Sequence, residues 1–119
     1  MKRLSLILVF SLLFCTIAHA GLKVTGKGSD MQFDSAGFPP DMKAAYQLMK
    51  VKCVKCHTLE RAVVAVQTGV APITGTVFNQ SATRAYGIKM MRKPDANISP
   101  KEAKTIVGLL DYLLDEAAK

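Results

Sequence analysis

Tryptophan is absent from this chain, histidine occurs twice, cysteine three times, and only 9 of the 119 residues are acidic. No internal repeat and no heptad pattern is present, which sets aside solenoids and coiled coils. No segment has the alternation of a convincing strand, so the fold expected is all-α. The shortage of acids against 16 Lys and Arg leaves a formal charge of +7. A basic chain of this kind meets nucleic acid, an anionic membrane surface or an acidic protein. Charge itself is missing from residues 68–80, which also hold Gly69, Pro72 and Gly75. An uncharged loop of that length in a small domain needs a reason, such as covering an apolar cofactor face or simple burial.

The first twenty residues read as a secretory signal peptide, and residues 21–119 as the mature protein. Met1-Lys2-Arg3 is a short basic start, residues 4–17 are largely apolar, and Ala18-His19-Ala20 is a small-x-small cleavage site. The apolar run is short for a membrane span, so no transmembrane anchor is expected after cleavage. Cys15 leaves with the signal. The expected compartment is the periplasm, which argues against nucleic acid as a partner. The mature chain keeps 14 basic against 9 acidic residues, or +5. It is close to the size at which a core alone is marginal, and a bound cofactor is one way to reinforce it.

Residues 21–40 are rich in Gly and Pro and read as an irregular arm that packs through Phe33 and Phe38. Residues 41–119 form the domain proper. Asp41 follows two prolines as a candidate N-cap, and a moderately amphipathic helix is expected over 42–52. Residues 58–67 can form a second helix and residues 81–91 a shorter third, weakened by Gly87. The turn Lys93-Pro94-Asp95-Ala96-Asn97 leads to Ser99-Pro100-Lys101-Glu102. Here Ser99 caps, Pro100 takes the first helical position and Glu102 completes a capping box. Ala103, Ile106, Val107, Leu110, Leu113 and Leu114 then repeat at helical spacing.

The scarce residues converge. Once residues 1–20 are removed, all remaining Cys and His stand together in Cys53-Val54-Lys55-Cys56-His57. Cys-x-x-Cys-His is the attachment pattern of haem c. Two thiols spaced by one helical turn can add across two vinyl groups on one porphyrin edge. The adjacent His57 is then directed under the ring to ligate iron. The expected cofactor is one haem c, covalent through Cys53 and Cys56. Zinc would need four ligands where three Cys and His are present, all adjacent. A redox dithiol would follow a strand at a helix start, a pattern missing here. A disulfide closing so short a loop would stabilise little.

No second His remains for the sixth iron position. Met31, Met42, Met49, Met90 and Met91 are the thioether candidates. Met42 and Met49 precede the motif on its own helix and are expected in the core. Met90 and Met91 stand before a turn, where the chain can cross to the other haem face, so one of this pair is the expected ligand.

The order of helix, Cys-x-x-Cys-His, loop, Met, turn and final amphipathic helix resembles the class I cytochromes c, particularly small bacterial monohaem members. The resemblance covers residues 41–114, and its specific motif is residues 53–57. It implies a small cytochrome c-like fold with helices packed around one haem, and a crossing of first and last helices at Ala45 with Tyr112 as the aromatic partner. It also implies Met90 as the distal ligand, because a Met stands four before the Pro in small members. Met49 stands where members often carry an aromatic, and Pro72 lies far from the motif, so another carbonyl must hold the proximal imidazole. With no Trp, Tyr86 or Arg84 is the candidate to bond a haem propionate.

The function implied is single-electron transfer by a monomeric carrier, with no catalytic residues and no enzyme activity. Its partners are redox proteins with acidic docking surfaces, met by Lys50, Lys52, Lys55, Lys89, Arg92 and Lys93. Two alternatives remain at this point. One is a sensor or ligand-binding haem protein with an open sixth site. The other is a haem subunit of a larger respiratory complex.

Overall fold

A computed structural model describes residues 21–119. The proposed signal peptide, with Cys15 and His19, lies outside the described residues. The chain is mostly helical. Four helices follow one another, α1 Pro40–Cys53, α2 Glu60–Thr68, α3 Gln80–Met91 and α4 Pro100–Ala117. Among the described residues no helix is long and apolar enough to cross a membrane.

The arm before α1 corrects the expectation that no strand is present. Val24–Thr25 (β1) and Gln32–Phe33 (β2) pair antiparallel, with Val24 opposite Phe33, around a 3-10 turn at Gly28–Asp30. Two-residue strands are too short to show alternation. The ribbon is held from outside: the Phe33 N–H donates to the Tyr46 hydroxyl at 2.9 Å. Phe33 and Phe38 are both buried, as expected of the arm. The Phe38 ring stands edge-on between Tyr46 of α1 and Tyr112 of α4, with centroids 5.9 and 5.3 Å away.

α1 begins two residues earlier than expected. Pro39 is its N-cap and Pro40 its first residue, and no side chain caps it. Pro40 has its φ preset and lacks only an N–H that would be unpaired there anyway, so Asp41 falls inside the first turn. There its carboxylate faces the positive helix end, while Lys50 and Lys52 occupy the negative one. α2 ends at Gly69, whose backbone is left-handed (φ 69°) and whose N–H returns to the Ala65 carbonyl.

α4 is the central element and packs against all three other helices. Its start carries the full capping box, with the Ser99 hydroxyl accepting from Glu102 N–H and the Glu102 carboxylate accepting from Ser99 N–H. Ile106, Leu109, Leu110 and Leu113 are buried with Ala45, Tyr46 and Met49 of α1 and Val63, Ala65 and Val66 of α2. Gly87 allows α3 to approach α4. A β-carbon there would lie 2.5 Å from Val107 Cγ2. The residue that weakens α3 as a helix is therefore the one that lets it pack.

Candidate functional site

One cleft of about 510 Å³ opens beside α4 and is bounded by residues from every helix. Cys53, at the end of α1, lines it together with Cys56 and His57 from the following turn. Met90 lines it from the last turn of α3, and Lys93, Pro94, Ala96 and Ile98 from the turn beyond. Leu59, Phe78, Ile106 and Leu110 are buried residues of its wall. The size is within the usual range for a small-molecule or cofactor site.

Cys53 and Cys56 are both free thiols. Burial first, and then the neighbouring Cys56, pushes the Cys53 thiol up to about 11. Cys56 is exposed. His57 Nδ1 lies 2.9 Å from the Thr58 carbonyl. A carbonyl only accepts, so Nδ1 is the donor, and in the neutral ring that leaves the Nε2 lone pair for a metal. The ring's carbonyl partner is thus that of the next residue, Thr58, although Pro72 lines the same cleft. Among the described residues no three His, Cys, Asp or Glu side chains converge on a metal position.

The adjacent methionines part company. Met90 faces the cleft, whereas Met91 lines a separate groove between α3 and α4 with Arg84, Ile88 and Val107. Arg84 is thus not among the cleft residues, but Tyr86 is. The Tyr86 hydroxyl meets those of Thr74, at 3.1 Å, and Thr76. Those hydrogen bonds, Thr74's first, hold the phenol below its ordinary pKa. Spacing gave no sign of this hydroxyl cluster, because the uncharged loop has to fold back to form it. In that loop Ala71 N–H donates to Thr76 O, and Phe78 N–H to Gly69 O. Ile73 of the same loop lines the cleft while 70% exposed.

Lys52 departs from the expected docking set. Its side chain is only 15% exposed and lies 3.4 Å from Glu102. Lys50 lies over the Tyr46 ring, 5.1 Å from the centroid. Lys55, Lys89, Arg92 and Lys93 are exposed. Comparison with family models, with curated proteins and with solved structures finds no match to this chain.

The donor chemistry fits a covalently held haem. Two thiols and an imidazole with an available Nε2 stand on the same apolar cleft as a thioether from a different helix.

Proposed function

We propose that this chain is a monohaem cytochrome c of the class I kind, carrying single electrons between protein partners. The observation that carries the reading is the sharing of one apolar cleft by Cys53, Cys56, His57 and Met90. In this reading Cys53 and Cys56 hold haem c through two thioethers. His57 ligates through Nε2 and Met90 through its sulfur. When bound, haem would supply a one-electron couple, and a thioether ligand would favour its reduced state.

The chain's own residues do the remaining work. The Thr58 carbonyl orients His57 and makes the imidazole a better donor. Leu59, Phe78, Ile106 and Leu110 keep water from the site, which also tunes the potential. Tyr86, with Thr74 and Thr76, is the hydrogen-bonding group for a haem carboxylate. Haem iron held by both His57 and Met90 would have no place for a substrate, so the chemistry it would supply is outer-sphere electron transfer. Lys55, Lys89, Arg92 and Lys93 are the cations that steer an acidic redox partner toward the site. In this reading residues 1–20 direct export, so the carrier works in the periplasm.

The test is expression in a host that matures c-type cytochromes. One haem per chain should stay attached through a denaturing gel, and Cys53→Ala with Cys56→Ala should abolish it. A folded chain recovered from that host with both thiols free and no haem contradicts the proposal.

A further inference from the structure

Lys52 ends α1 immediately before Cys53 and is drawn inward rather than solvated. Its ammonium donates to the Asn97 carbonyl at 2.6 Å and lies 3.4 Å from Glu102 Oε1. Glu102 is engaged on its other side, where Oε2 accepts from Ser99 N–H at 2.8 Å. One cation therefore joins the end of α1, the 92–98 turn and the start of α4. That turn grows out of Met90: Lys93 N–H donates to the Met90 carbonyl, and Ala96 N–H to that of Lys93. It includes two left-handed residues, Asp95 (φ 60°) and Asn97 (φ 49°). Short Asp and Asn side chains tolerate that conformation best, yet it still needs support. Ala96 is buried, while Lys93, Pro94 and Asp95 are exposed, so apolar packing supplies little of it. Hydrogen bonds donated by an ammonium are charge-assisted and stronger than neutral ones.

We propose that Lys52 is a positioning residue for the sixth-ligand side of the site. Bridging Asn97 and Glu102, it fixes the 92–98 turn, and with it Met90, relative to the Cys53–His57 segment. The role rests on the haem reading above. Lys52 also borders the cleft, at the end of α1, but its role is exerted through the turn, by limiting how far the Met90 wall can swing away.

The experiment is an imidazole titration of the oxidised holoprotein, since imidazole competes with Met90 for the sixth position. Lys52→Met and Glu102→Gln should each bind imidazole about tenfold more tightly than the parent, the factor equivalent to 1.4 kcal/mol. Gln keeps the capping box while removing the charge. Lys52→Arg should restore the parent's affinity. Lys101→Met, at an exposed lysine of the same helix start, should leave it unchanged. A residue that only stabilised the fold would lower the melting temperature without moving imidazole affinity well below it. If the parent shows methionine ligation and Lys52→Met binds imidazole as the parent does, the positioning role is overturned and the haem reading stands. If the parent itself lacks methionine ligation, both fall, and its spectrum alone tells the two cases apart. Should Lys52→Met fail to fold, Glu102→Gln decides by the same criterion.

Discussion

Replacing Gly87 by alanine sets two well-measured effects against each other. Helix propensity alone favours alanine by about 0.8–1 kcal/mol. Packing opposes it, because the new methyl carbon would lie 2.5 Å from Val107 Cγ2. Val107 has little room to yield, since a β-branched side chain in a helix keeps one strongly preferred rotamer. Overpacking of this kind costs about 1–3 kcal/mol. The expected net effect of Gly87→Ala is a loss of up to about 2 kcal/mol, or a fall in Tm of about 4–8 °C for each kcal/mol lost. Val107→Ala removes the obstruction, so in that background Gly87→Ala should stabilise by up to about 1 kcal/mol. The change of sign is the signature, and the pair should couple by about 1–3 kcal/mol. Urea unfolding of the matured parent, both single variants and the double variant measures it, given equal m-values. If Gly87→Ala stabilises both backgrounds alike, α3 and α4 do not approach as described, and the placement of Met90 one turn further along loses its support.

Three further outcomes follow from particular contacts. Tyr46→Phe removes the acceptor of the buried Phe33 N–H, and should cost about 1–3 kcal/mol in thermal or urea unfolding; a loss below a few tenths would show that the ribbon does not depend on this bond. In the haem-free chain at pH 8, Cys56 should be alkylated well before Cys53, whose thiol near 11 leaves only about one part in a thousand as thiolate. Peptide mapping after brief iodoacetamide treatment reads the order, and equal rates would contradict the burial of Cys53. The Glu102 carboxyl is held below its ordinary pKa, first by the Ser99 N–H and then by Lys52. Its contribution is complete above the ordinary carboxylate value and is lost as pH falls through the lowered one. Glu102→Gln should therefore flatten the acid limb of the stability–pH curve below about pH 5, and an unchanged limb would count against the bridge.

What the sequence made legible was local. Ser99, Pro100 and Glu102 specify the start of α4 within four residues, and the capping box stands where that pattern puts it. The motif Cys53 to His57 is contiguous, so its grouping needed no fold. The two short strands were illegible because their support comes from Tyr46, thirteen residues beyond Phe33. Asp41 misled for a local reason, since Pro40 starts a helix as readily as a capping side chain does. The methionine pair shows the limit of spacing. On a helix, neighbours point about 100° apart, so a one-residue shift decides which of them reaches the cleft. Lys52 was legible as a charge but not as a bridge, because Asn97 is forty-five residues away.

The central claim is most directly tested by absorption spectra of the oxidised and reduced holoprotein, compared for the parent, Met90→Ala and Met91→Ala. The account predicts that the parent and Met91→Ala show the weak long-wavelength oxidised band of methionine-ligated haem and a low-spin reduced form. Met90→Ala should lose the band, become high-spin on reduction and bind carbon monoxide. Loss of the band in Met91→Ala instead would move the ligand. A parent that lacks the band and binds carbon monoxide readily would contradict the electron-carrier account and favour a ligand-binding haem protein with an open sixth site.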